Sequence, residues 1–180
     1  MIEALVGKGA RVDVLELSPE KVEELEALDD GVKAVRGDAI NLEDNEKAFS
    51  ETVAAFGRLD ALVCCARLWD NQAQLKRLSK EKIGEAFNEI FVVNVKSYVL
   101  VTKICVEALI ESEGCIVYTL SSSAFYPDGR GPLYMASKSP SGACSWRWQR
   151  AISSGAGAPA RVGIVREPAL RRVVEGSDSW

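Results

Sequence analysis

Short apolar runs alternate with amphipathic helical stretches along the first 140 residues, and this alternation constrains the fold more than any other feature. Residues 11–17 read as a strand. Ser18-Pro19-Glu20 then opens a helix with a hydroxyl cap, proline at the first helical position and acid in the first turn. Val22, Leu25 and Leu28 space its inward face, and Gly31 ends it. Residues 32–36 form the next strand, followed by Gly37-Asp38. Residues 41–56 form a second helix, with Leu42, Ala48, Phe49 and Val53 inward. Residues 59–66 and 115–120 are continuous apolar strands of the kind buried on both faces of a sheet. Between them, residues 79 to about 110 are helical in two pieces, broken near Asn94. Four rounds of strand and helix specify parallel β-α units and an α/β fold with a doubly wound parallel sheet.

Composition removes several chemistries. The chain has 180 residues, 47% of them hydrophobic, enough for a real core. It has no histidine, so no Ser-His-Asp or Cys-His nucleophile can form, and no metal site built on imidazole. A net charge of −4 gives no reason to expect nucleic acid or an anionic membrane as partner. The five cysteines (64, 65, 105, 115 and 144) have no paired spacing and read as reduced thiols in a cytoplasmic protein. Cys64 and Cys65 fall at a strand end, where ligands bind in such sheets, but small buried apolar side chains account for them better than redox chemistry does. Cys105 and Cys115 read as core fillers. Nothing resembles a signal peptide, and no apolar run approaches the ~18 residues of a membrane span.

Charge divides the chain in two. Residues 1–138 carry sixteen Lys and Arg against 23 acids, a balance of −7, whereas residues 139–180 carry six Arg and three acids, a balance of +3. The second part has no Lys, three of the four Trp, and a Ser/Gly/Ala stretch at 153–160 without apolar period. The expected organisation is a domain over 1–139 and an irregular basic tail over 140–180.

One constellation carries chemistry. Ser121 closes the strand at 115–120, Tyr134 follows thirteen residues later, and Lys138 four after that. Pro132 opens a helix, so Tyr134 and Lys138 share one face, a turn apart. A free tyrosine ionises near pH ~10, too high for a base at neutral pH, and a neighbouring ammonium favours the phenolate. The Ser121 hydroxyl, at the strand's carboxyl end, can bond the same substrate oxygen. Tyr-x-x-x-Lys alone is a weak signal; with the upstream serine in an α/β chain it becomes strong.

With these residues the chain resembles the short-chain dehydrogenase/reductase family, and more narrowly the bacterial cis-dihydrodiol dehydrogenases of aromatic degradation. The narrower likeness rests on Leu68-Trp69-Asp70, on Asn94-Val95-Lys96, and on the run from Thr119 through Leu-Ser-Ser-Ser-Ala-Phe-Tyr-Pro-Asp-Gly-Arg-Gly-Pro-Leu to Tyr134 and Ala136-Ser137-Lys138. The resemblance implies a Rossmann-like fold and NAD-dependent oxidation of an aromatic cis-dihydrodiol to a catechol. It makes Tyr134 the base, Lys138 its tuner and a nicotinamide-ribose contact, Ser121 the substrate anchor, and Asn94 the holder of a relay water. Glu16 falls where the family places the acid on the adenosine ribose, favouring NAD, and Asp38 where it meets the adenine. Ala66 lies in the turn near the adenine ribose. Phe125 and Tyr126 would line the diol pocket, although core packing is an equal reading of Phe125. Homo-oligomers are also implied.

Three departures set this chain apart. The family's first strand and its Thr-Gly-x-x-x-Gly-x-Gly turn, which cradles pyrophosphate at a helix N-terminus, are absent, and Gly7 and Gly9 do not replace them. Two apolar strands are expected to lack a ladder partner as a result. Cys64-Cys65-Ala66-Arg67 stands where the family has Asn-Ala-Gly, so Arg67 either blocks the cofactor or swings towards solvent or a phosphate. Pro140 interrupts the helix carrying Tyr134, at a cost of ~3 kcal/mol in a helix interior, and the following residues lose amphipathic period. Together with the change in composition, this is the pattern of a shifted reading frame after about Ser139, although residues 160–165 could be a further strand. The expected function is the dehydrogenase; the alternative is a catalytically inactive, truncated family member, or an interaction partner that pairs with intact homologues through an exposed apolar helix at 98–110.

Overall fold

The computed structural model describes residues 1–125 except Gln72, residues 131–139, and the backbone of 161–166. The elements are α1 (Ile2–Val6), β1 (Val12–Glu16), α2 (Pro19–Glu26), β2 (Val32–Arg36), α3 (Leu42–Phe56), β3 (Ala61–Cys64), α4 (Ile83–Phe91), α5 (Ser97–Glu111), β4 (Cys115–Leu120), α6 (132–139) and β5 (Arg161–Arg166). A π-turn over Val92–Lys96 joins α4 to α5. Every ladder is parallel, as α/β alternation requires. Among the described residues the strands form two sheets, β1–β2 and β3–β4–β5. β1 and β3 therefore each pair on one side only.

Local chemistry explains most boundaries. Ser18 caps α2 by accepting from the Lys21 N–H at 3.3 Å, and Pro19 occupies the first helical position. The helix ends at Glu26, short of the expected Gly31. Asp29 Oδ1 accepts from the Gly31 N–H at 2.8 Å, and this turn competes with helical bonding. Leu28 consequently lies beyond the helix and is 46% exposed, while Val22 and Leu25 are half-buried.

Asn41 caps α3 through the Asp44 N–H, and Gly57 ends it in the left-handed region at φ 80°. Ala48, Phe49 and Val53 turn inward as expected, but Leu42, in the first turn, is 50% exposed. Its place near the start of the helix is taken by Asn45, which is buried because its amide donates to the carbonyls of Ala39 and Asn41. β3 is four residues long, not eight. Leu59, Asp60, Cys65 and Ala66 lie outside the ladder, and Asp60 O is occupied by the Cys115 N–H.

The core sits between β3–β4 and α5. Cys64, Tyr98, Cys105, Leu109, Ile116 and Tyr118 form its buried cluster, flanked by Phe49, Leu62, Val101 and Ile104. α5 thus spends Tyr98, Cys105 and Leu109 internally, correcting the expectation that its apolar side is exposed; of its large apolar residues, Val99 is the exposed one. Two buried hydroxyl pairs tie α5 to β4, Thr102 with Tyr118 at 2.6 Å and Tyr98 with Thr119 at 2.9 Å. Cys115 is half-buried, so it fills the core less completely than Cys105. β5 pairs with β4 from Cys115↔Arg161 to Leu120↔Arg166, within the segment expected to be an irregular tail and where residues 160–165 offered a strand. Pro140, Cys144 and the 153–160 stretch lie outside the described residues.

Candidate active site

The carboxyl ends of β3 and β4, the first turn of α5 and the face of α6 converge on one buried locus. Pro132 starts α6, and Tyr134 and Lys138 follow one turn apart, both buried. Tyr134 is 0% exposed, and its Oη has no hydrogen-bond partner. An unpaired buried hydroxyl costs about 1–3 kcal/mol, so this atom is poised for a group the protein itself does not supply.

Lys138 Nζ donates to Tyr98 Oη at 3.5 Å and lies 5.3 Å from the centroid of the same ring. Thr119 donates its only hydroxyl proton to Cys64 O at 3.0 Å, so Tyr98 must donate to Thr119 Oγ1. The hydrogen bonds therefore run in one direction, from the Lys138 ammonium through Tyr98 and Thr119 to the Cys64 carbonyl. Burial pushes the Tyr98 phenol well above its ordinary range, which keeps it a neutral donor; its bond to Thr119 acts the other way. Ser121, the first residue past β4, is buried and caps the turn over Ser122–Ala124, accepting from the Ser123 N–H at 3.3 Å and donating to Ser123 Oγ at 3.0 Å.

Asn94 is fully buried in the π-turn, a feature frequent at functional sites. Its Oδ1 accepts from the Leu68 N–H at 2.7 Å, and its amide donates to Leu68 O at 2.9 Å and Ser137 Oγ at 2.8 Å. Both amide protons are thus committed to holding the loop after β3 against α6. Ser137 passes its own proton to Tyr134 O at 2.8 Å.

Glu16 and Asp38 stand at the carboxyl ends of β1 and β2, on the other sheet. Glu16 Oε1 accepts from the Ser18 N–H at 3.0 Å, and Asp38 Oδ1 from the Ile40 N–H at 3.1 Å. No hydrogen bond among those described joins this pair to the Tyr134 locus. Ala66 is half-buried against the core, and Arg67 is exposed. Phe125 is 52% exposed, so core packing does not account for it; Tyr126 lies outside the described residues.

Cys64 is buried and its thiol is pushed far up by desolvation; that of Cys105 rises to about 12 for the same reason. Cys65 is exposed, against the expectation of burial; partial desolvation raises its thiol and the Lys138 charge pulls it back. The shifts at Cys64 and Cys105 keep those two thiols protonated. Two site residues went unread in the sequence: Tyr98, which looked like one apolar helix position among many, and Asp70. Their roles depend on partners 40 and 61–64 residues away. The only signal for Asp70 was its place in Leu68-Trp69-Asp70.

Residues 1–145 match the short chain dehydrogenase family. The chain belongs to that family. It is 42% identical over 139 residues to the cis-2,3-dihydrobiphenyl-2,3-diol dehydrogenase of Pseudomonas sp. (strain KKS102), covering 77% of this chain and 50% of that protein. The figures are the same for a cis-toluene dihydrodiol dehydrogenase of Pseudomonas putida. A 3-phenylpropionate-dihydrodiol/cinnamic acid-dihydrodiol dehydrogenase of Escherichia coli is 40% identical, with 77% and 52% covered. The chain spans about half the length of these curated relatives. Among solved structures, the KRED1-Pglu enzyme superposes with a TM-score of 0.78 at 21% identity, over 96% of this chain and 80% of that one. A short-chain dehydrogenase from Streptomyces avermitilis gives 0.77 at 19%, over 92% and 58%. Both show the fold alone. No helix among the described residues is long and apolar enough to cross a membrane.

Proposed function

We propose that the chain is an NAD-dependent oxidoreductase that converts an aromatic cis-dihydrodiol towards a catechol. The observation that carries this is the buried, unpartnered Tyr134 hydroxyl one helical turn from Lys138. The dihydrodiol names of relatives at about 42% identity support the substrate class.

A nicotinamide dinucleotide fits the donor set at its two ends. Glu16 and Asp38 present carboxylates at the ends of β1 and β2 for the adenosine, and Lys138 would reach the nicotinamide ribose. When bound, the dinucleotide supplies the hydride acceptor. Tyr134 Oη takes the proton of the reacting hydroxyl. Ser121 holds the same substrate oxygen, and Tyr98 and Thr119 fix the ammonium from behind. Phe125, exposed beyond β4, offers an aromatic wall for the diol ring.

A second reading, of a family member that does not turn over, is favoured by one observation: among the described residues, β1–β2 and β3–β4–β5 are separate ladders. Fluorescence titration with NADH separates the readings: saturation at micromolar levels supports the enzyme, and its absence supports the second. Given binding, Tyr134→Phe should abolish NAD reduction with a cis-diol while leaving NADH affinity intact; unchanged turnover would refute the assigned base. Association between copies and cytoplasmic location go with the enzyme reading, and pairing with intact homologues goes with the alternative; light scattering of the chain alone and mixed with a full-length relative tests the two kinds of association.

A further inference from the structure

We infer that Asp70 is the positioning residue of the catalytic helix, capping α6 from a loop more than sixty residues away. A helix N-terminus leaves its first N–H groups without intrahelical partners, and normally the residue just before the helix supplies a side-chain acceptor. Here that residue is Gly131, which has no side chain. Asp70 fills the role instead: its Oδ1 accepts from the Gly131 N–H at 3.2 Å and its Oδ2 from the Tyr134 N–H at 3.0 Å. The negative charge also sits at the positive end of the helix.

The glycine and the aspartate require each other. A Cβ on Gly131 would fall inside the Asp70 carboxylate, so no other residue leaves room for the cap. Asp70 is itself held in place. Its carbonyl accepts from the Ala73 N–H at 3.0 Å, and two residues upstream Leu68 is bonded through both backbone groups to Asn94. Asn94 also reaches Ser137, so the loop grips α6 at two successive turns, once at the Tyr134 amide and once beside Lys138. Losing the Asp70 bond frees the backbone of the residue whose hydroxyl must meet the substrate. A displacement of that kind affects rate more than affinity.

This role rests on the proposed chemistry for its consequence but not for its geometry, and the test separates the two. In Asp70→Ala, hydrogen exchange at the 134–138 amides should speed up about five- to thirty-fold, the range for losing an N-cap of about 1–2 kcal/mol, with helix content elsewhere unchanged. Gly131→Ala should do the same by displacing the carboxylate, and the double variant should be no worse than Asp70→Ala alone. Asp70→Asn, which keeps one acceptor oxygen, should recover part of the protection. If the chain turns over, kcat should fall by at least tenfold in Asp70→Ala with NADH affinity within twofold of the parent. Unchanged exchange in a folded Asp70→Ala, or additive effects of the two substitutions, would overturn the inference. If Asp70→Ala does not fold, the Asp70→Asn and Gly131→Ala exchange rates decide it. An inactive parent would count against the proposed function and leave the exchange result standing.

Discussion

The β1–β2 half and the β3–β4 half use the same parallel β-α design with very different depth. In the first, β1 has no fully buried residue, α2 has none, and α3 buries only Asn45. In the second, β4 buries four of its six residues, α5 buries five, and buried hydroxyl pairs link the two. The difference follows from pairing and cover. β4 has neighbours on both sides and α5 packed against it, whereas among the described residues β1 pairs with β2 alone. The proposed chemistry falls where the structure is most over-determined: Tyr134, Lys138, Ser121 and Asn94 all belong to the second half, while Glu16 and Asp38, proposed to face the adenosine, belong to the thinner first half. A site that must hold an unpaired buried hydroxyl needs surroundings rigid enough to withstand its cost.

Truncation in the two halves should separate most clearly. Leu109→Ala, in the second half, removes a fully buried side chain and should cost about 2–5 kcal/mol, against less than about 1 kcal/mol for the half-buried Val22→Ala in the first; urea unfolding midpoints measure both, and equal shifts would break the contrast. A smaller effect is expected for Tyr118→Phe. It removes the hydroxyl paired with Thr102 and should cost about 1 kcal/mol, with faster hydrogen exchange in β4 as its local signature.

The smallest effect is a pH dependence confined to the first half. Asp13 Oδ2 accepts from Thr52 at 2.8 Å, but its Oδ1 is buried without a partner, and desolvation raises its pKa above 3.8. The folded chain then holds a proton that the unfolded chain has released. The stabilisation is present in full below about 3.8 and declines as pH rises through the folded value. Asp13→Asn should flatten the thermal midpoint over that interval, and an unchanged slope would mean that Asp13 is not the group responsible.

Much of this was legible from periodicity and punctuation. The strands at Val32–Arg36 and Cys115–Leu120 stand at the residues read for them; the second is a buried parallel strand with an almost uninterrupted apolar signature, whereas the first sets buried Val32 and Val35 among exposed Lys33 and Arg36. The break near Asn94 is a real π-turn, and Tyr134 and Lys138 share a helix face as i, i+4 spacing dictates. The errors arose where side chains compete with regular backbone bonding. The Asp29 turn shortened α2, and Asn45 replaced Leu42 as the buried residue because its amide found two carbonyls. No one-dimensional period records such bonds.

The sequence by itself determined the alternation of strands and helices, the chemistry available without histidine, and the spacing of Ser121, Tyr134 and Lys138. These are properties of neighbours along the chain, fixed by backbone geometry and side-chain type. Only the tertiary structure decided that Tyr98 backs the Lys138 ammonium, that Asn94 clamps a loop to α6, and that Asp70 caps a helix whose own start is a glycine. Each of those depends on hydrogen bonds between residues at least 26 positions apart, and their direction and geometry exist only once the chain has folded.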